Sequence, residues 1–280
     1  MTVQTQSADT AQGVDDHVAE LYRDGITSLR RAFPRDWVER LREDMDAAYR
    51  EAVVRPGGTV PRGPQRWYVE VHPEDVRGFV DLVSHPWVRA MSEAVLGTDH
   101  RVVEIGFDVP FKGAKDQPWH RDFASPPVTY EQRRLTSLAF NLTGVDVTPD
   151  MGPFEIAPGT QWDDGRAWKH EMFPPRDEWP RYAALGQRRF PRMGDLSCRT
   201  ALALHRGTEH ASETSRPVLI LGVVAGEVAN PDEHDLEITR TYHARLPVEV
   251  REHLLCRVVD VLTPLTQRHD IEGLEMGVES

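Results

Sequence analysis

Two places in this chain pair a histidine with a carboxylate two residues on: His120-Arg121-Asp122, within DQPWHRDF, and His72-Pro73-Glu74. On an extended strand residues i and i+2 project to one side, so both could reach one metal ion while the residue between them points away. The pattern alone is weak, because twelve histidines and 45 acidic residues in 280 give about two chance matches. Pro73 suits the first turn of a following helix, which makes the second pair structural. The first pair gains from a later segment, ALALHRGTEHASETSRPVLIL, in which His205 ends a short apolar run and Arg216 stands eleven residues further on. An arginine at the entrance to an apolar strand is costly unless an anion partners it. His210 is the rival third ligand.

Two histidines and one carboxylate on one face of an octahedral metal is the pattern of non-haem Fe(II) oxygenases. Such a triad leaves three positions open. A 2-oxo acid could chelate two of them and O2 could take the third. The distal carboxylate of 2-oxoglutarate would then need a cation, the role available to Arg216.

The elements that must position these residues change character along the chain. The first third reads as helical, apart from a short strand in Ile26 to Phe33. Asp36 is placed to cap a helix with Trp37, Val38, Leu41, Met45 and Tyr49 on one face. Two more helical stretches fall at 75–83 and 87–96. From about Arg101 the period becomes two: Val103, Ile105, Phe107 and Val109 share a face, as a half-buried strand requires. In TSLAFNL, Leu138, Phe140 and Leu142 share one face. Ser137, Ala139 and Asn141 share the other, which is small and polar and suits a cavity wall. PVLILGVVA, apolar on both faces, predicts a central buried strand. Segment 161–192, with three tryptophans, four prolines and no sustained period, reads either as a lid or as a surface excursion or subunit contact.

Composition narrows the function. A net charge of -12 argues against nucleic acid, whose phosphates need clustered Lys and Arg. No run approaches the roughly 18 apolar residues of a membrane helix. Two cysteines, Cys198 and Cys256, are too few for a disulfide framework or thiolate cluster. The polar start lacks a signal-peptide pattern, so residues 1–14 are expected to be a flexible tail on a cytoplasmic protein, and 15–280 one domain. Three lysines against 30 arginines point to a GC-rich genome.

The chain resembles the phytanoyl-CoA dioxygenase-like Fe(II)/2-oxoglutarate-dependent oxygenases from about Leu21 to Ala225. LYRDGITSLRRAFPRDWVERLREDMDAA is similar to that family's helix–strand–helix opening, and QPWHRDF to its HxD segment. NLTGVDVTPDMGPFEIAPGTQW resembles the stretch ending in its Pro-Gly-Ser-His turn. RMGDLSCRTALALHRGTEHASETSR resembles its Gly-Asp turn and H-x10-R. The chain departs at Thr160-Gln161, where serine-histidine is common, and at His210, where asparagine is.

The resemblance implies a mainly β fold with flanking helices: a double-stranded β-helix, or jelly roll, holding the metal in its open end. It implies His120, Asp122 and His205 as iron ligands, and Arg216, with Ser212 at the family's small-hydroxyl position, for 2-oxoglutarate. Asn141, on the polar face, could touch the cosubstrate or the substrate. Trp119, Phe123, Arg66, Trp67 and Tyr68 are candidate substrate contacts. The implied reaction uses O2 to decarboxylate 2-oxoglutarate to succinate and CO2, and hydroxylates a C–H bond of a small molecule; desaturation, epoxidation and ring closure are variants. The carboxylate at 122 argues against halogenation, because halogenating relatives carry a small residue there. A natural-product tailoring pathway is the expected setting, and monomer and homodimer stay open. Two other readings remain: a jelly-roll binding protein that has lost catalysis, and a cupin-type metalloenzyme that uses no 2-oxoglutarate. The intact triad counts against the first. Arg216 counts against the second, which gives that cation no purpose.

Overall fold

A computed structural model describes residues 7–267. Helix α1 (Ser7–Asp24) leads into strand β1 (Ile26–Leu29), and α2 (Arg35–Ala52) into the β2 (Val60–Pro61) and β3 (Arg66–Glu70) pair. Helices α3 (Phe79–Val83) and α4 (Pro86–Leu96) follow, then β4 (Arg101–Pro110), α5 (Pro127–Gln132) and β5 (Ser137–Thr143). Next come β6 (Phe154–Ile156), α6 (Trp179–Leu185), β7 (Gln187–Arg188), β8 (Leu196–Arg199), β9 (His205–Gly207) and β10 (Val218–Val224). A small parallel pair, β11 (Glu237–Thr239) and β12 (Arg257–Val259), comes last. Residues 7–14, expected in the tail, belong to α1, while 1–6 and 268–280 lie outside the described residues.

Seven strands form an antiparallel sheet in the order β1-β8-β5-β10-β4-β3-β2, and β7-β6-β9 form a second antiparallel sheet. Residues of both sheets line one cavity. This is mainly antiparallel β structure with flanking helices, the arrangement expected of a double-stranded β-helix.

The alternation seen in the sequence divides the large sheet's two faces. Leu138, Phe140 and Leu142 of β5, Ile105 and Phe107 of β4, and Leu219 and Leu221 of β10 turn to the helices, where they pack with Leu21, Leu41, Phe79 and Trp87. Burying one such side chain stabilises the fold by about 1.5–3 kcal/mol. Ser137, Ala139, Asn141 and Thr143 turn to the cavity. Strand β10 is central, as its composition predicts. It is apolar on both faces because one meets the helical core, while Val218, Ile220 and Gly222 line the cavity.

Helix α2 buries Val38, Leu41 and Met45 as its period requires. Its cap differs from the expectation. Pro34 holds the N-cap position and Asp36 sits inside the first turn, bonded to Arg40 one turn on. The proline's fixed φ of -65° sets the helix entry without a side-chain cap.

Candidate metal centre

The segment carrying His120 runs antiparallel to β9. His120 and His205 exchange backbone hydrogen bonds of 3.1 and 2.9 Å, and the Asp122 amide donates to Ala201 O at 2.9 Å. The pairing brings the two imidazoles onto one face, with ring centroids 4.5 Å apart. His120 Nδ1 lies 2.9 Å from Pro118 O, and His205 Nδ1 lies 3.0 Å from Ala203 O. A carbonyl only accepts, so each Nδ1 carries the proton and each Nε2 keeps its lone pair for a metal. Asp122 Oδ1 stands 3.3 Å from His205 Nε2. One ligand atom from each of His120, Asp122 and His205 falls within 4.8 Å of the others.

The electrostatics suit cation binding. Burial, aided by the neighbouring His205, pushes the His120 imidazole down to about 3, so it is neutral at ordinary pH. Burial alone would raise the Asp122 carboxyl. Arg199 and the two histidines more than offset this and hold it well below the usual carboxylate range. Two imidazoles and one carboxylate are donors that fit a divalent first-row metal, and three ligands leave coordination positions for small molecules.

The centre opens onto a cavity of about 780 Å3. Arg216 lines it, 4% exposed, with Nε donating to Met151 O at 3.0 Å and no ion-pair partner among the described residues. Burial, and then the charge of Arg66, pull the Arg216 guanidinium down to about 10. Asn141 also lines the cavity; its Oδ1 has no partner among the described residues. Thr143 Oγ1, in register with Val218 beside Arg216, is likewise buried and unpartnered.

Several expected contacts lie elsewhere. Ser212 stands outside the cavity lining, in the turn after β9, where its hydroxyl accepts from the Thr214 amide; an offset counted through a loop does not set a side chain's direction. Trp67 faces away from the cavity. Strand alternation sends Arg66 and Tyr68 inward and Trp67 onto Tyr49 and Phe111, at centroid distances of 5.9 and 5.7 Å. Trp119 is fully buried among Ala157, Tyr182 and Leu204 under segment 161–192, with Arg206 over its ring at 4.8 Å. Arg66 lines the cavity but is committed to the fold: it donates to Gln117 Oε1 and Thr208 O and lies 3.6 Å from Asp108. Gly207 has to be glycine for this, because a Cβ there would overlap the Arg66 guanidinium. Phe123 sits in the cavity lining, 36% exposed. His210 is no ligand, since both its ring nitrogens face backbone carbonyls, of Met151 and Thr214.

Sequence reasoning missed three features. Arg121 does point away from the metal face, but it is fully buried and ties the segment to 161–192 through Asp163 O and the Trp168 ring. Alternation could have shown this, because Trp119 and Arg121 share the face opposite His120 and Asp122. Tyr68 donates to Glu104 on the cavity wall. Arg199, on β8, donates to Asp122 Oδ2 at 2.6 Å. Segment 161–192 contributes Met172 and Arg189 to Pro191 to the cavity wall.

The profile of the phytanoyl-CoA dioxygenase (PhyH) family matches residues 21–218, and the chain belongs to that family. No curated protein sequence matches it. Among solved structures, it is similar to SnoK, a non-haem alpha-ketoglutarate-dependent carbocyclase from nogalamycin biosynthesis, with 18% identity and a TM-score of 0.61 over 75% of this chain and 83% of that one. The epimerase SnoN, solved with Fe3+, alpha-ketoglutarate and nogalamycin RO, gives 17% and 0.59 over 77% and 84%. HygX from Streptomyces hygroscopicus, solved with nickel and 2-oxoglutarate, gives 15% and 0.56 over 80% and 90%.

Proposed function

We propose that this protein is an Fe(II)- and 2-oxoglutarate-dependent oxygenase that hydroxylates a C–H bond of a small organic substrate, in natural-product tailoring. The observation that carries the reading is the pairing, in one cavity, of the His120–Asp122–His205 cluster with the buried Arg216, which has no ion-pair partner among the described residues. A buried guanidinium without a carboxylate is expensive, and a dicarboxylate cosubstrate supplies what it lacks. Membership of the family and likeness to structures solved with iron, nickel and 2-oxoglutarate support the same cofactors.

The chain's own residues have distinct tasks in this reading. His120, Asp122 and His205 hold the metal, and their backbone-bonded Nδ1 atoms fix which nitrogen faces it. Arg216 takes the distal carboxylate of 2-oxoglutarate, with the Thr143 hydroxyl and Asn141 at hand on the adjoining strand. Bound iron supplies the O2 chemistry that converts 2-oxoglutarate to succinate and CO2 and removes a hydrogen atom from the substrate. Met172, Phe123 and the 189–191 stretch line the remaining space, where the substrate lies.

Succinate release in the presence of Fe(II), O2 and 2-oxoglutarate tests the reading, with candidate substrates screened by mass spectrometry. Metal-dependent succinate, and a product that has gained one oxygen atom, are expected. A product that has only lost two hydrogens, or is an isomer, would replace hydroxylation with desaturation, ring closure or epimerisation. No succinate from folded, iron-loaded protein under any condition would contradict the oxygenase reading itself.

A further inference from the structure

Asp122 is held from one short stretch of chain at two points. Its amide donates to Ala201 O, and its Oδ2 accepts from Nη1 of Arg199 at 2.6 Å. Arg199 lies at the end of β8, opposite Ala139 on one side and Ile26 on the other. Ala139 and Arg199 both line the cavity, and the Arg199 guanidinium lies over the Phe154 ring at 5.6 Å. Arg199 is 5% exposed, and Asp122 is its only ion-pair partner among the described residues.

A buried ion pair is poor evidence of a stability device, because apolar residues of like volume often serve as well. This pair has a more specific consequence. A carboxylate has two oxygens, and either or both can bind a metal. With Oδ2 engaged by Arg199, Oδ1 is the atom left beside His205 Nε2.

We propose that Arg199 is a positioning residue for the metal centre: it fixes the rotamer of Asp122, reserves Oδ2, and so makes Asp122 a one-oxygen ligand. This rests on the metal-centre reading above. Three open coordination positions then survive for cosubstrate and O2, where a two-oxygen carboxylate would consume one of them.

Co(II) titration of the metal-free full chain tests this, read as affinity and as the d–d absorption, whose intensity reports coordination number. Arg199→Met fills similar volume without charge. It should bind Co(II) about tenfold or more weakly, the scale on which outer partners of metal ligands act, and with an altered d–d spectrum. Arg199→Lys keeps the charge and one donor, and should recover most of both. If Arg199 merely fills space, the Lys and Met variants would behave alike. Wild-type affinity and an unchanged spectrum in folded Arg199→Met would overturn the proposal. Should that variant fail to fold, Arg199→Gln, shorter and uncharged, is read by the same criteria. Absence of Co(II) binding by the wild type would instead refute the metal centre, and the proposal with it.

Discussion

The two His-x-carboxylate pairs have the same spacing and opposite fates. His120 spends Nδ1 on the backbone and keeps Nε2 beside Asp122 and His205. His72 spends both nitrogens: Nδ1 accepts from the Glu237 amide at 3.1 Å and Nε2 donates to Thr263 O at 2.7 Å. Glu74 is equally committed, accepting from the Thr239 amide and hydroxyl at 3.0 Å each. Pro73 explains the split, because it starts a 3-10 turn, whereas His120 pairs with His205 of β9 and the Asp122 amide bonds Ala201 O. One pair is a brace for the β11 strand and the other supplies two of the three side chains of the candidate metal centre. Spacing supplies the possibility; the number of uncommitted donor atoms decides.

Substitution should separate the two pairs sharply. The largest effect is expected from Asp122→Ala, which removes a metal ligand and should weaken Fe(II) binding beyond the roughly 10–100-fold that loss of an outer partner costs. His72→Ala should leave Fe(II) affinity at the wild-type value in the same titration. Equal metal affinities for the two variants would break the comparison. Next comes Arg216→Ala, which should weaken 2-oxoglutarate binding by about 2–5 kcal/mol, at least thirtyfold in Kd, with iron affinity kept. Calorimetric titration of the metal-loaded protein checks this.

His72→Ala has its own effect, on the brace. It strands the buried Glu237 amide and should cost about 1–3 kcal/mol in denaturant unfolding. A loss confined to metal binding would contradict its structural role. Ser212→Ala should be the smallest change, within about 0.5 kcal/mol in stability and with unaltered Kd for 2-oxoglutarate, because its hydroxyl stays in its own turn. A marked rise in that Kd would return Ser212 to the cosubstrate site.

What could be read from the sequence follows the range of the interactions. The two faces of β5 were legible because alternation is a property of adjacent residues. His205 and Arg216 were legible through the resemblance of their segment to the family's H-x10-R and through the cost of an arginine beside an apolar strand. Arg199 was not, because its partner Asp122 lies 77 residues away in a segment outside the named strands and nothing local distinguishes it from the other arginines. Tyr68 and Glu104, 36 residues apart, were hidden as a pair for the same reason. Trp119 is a candidate substrate contact because it flanks His120, and Trp67 because its strand-like stretch could face the cavity. A tryptophan suits a core as well as a pocket, and alternation sends the immediate neighbours of inward residues outward.

The central claim is that one cavity holds both a metal triad and an anchor for a 2-oxo acid. Anaerobic visible absorption tests it most directly, with metal-free protein titrated first with Fe(II) and then with 2-oxoglutarate. The account predicts a charge-transfer band that needs both additions, is absent from Asp122→Ala, and needs at least about thirtyfold more 2-oxoglutarate in Arg216→Ala. No band in folded, iron-loaded wild type, or an unchanged band in Asp122→Ala, would contradict it.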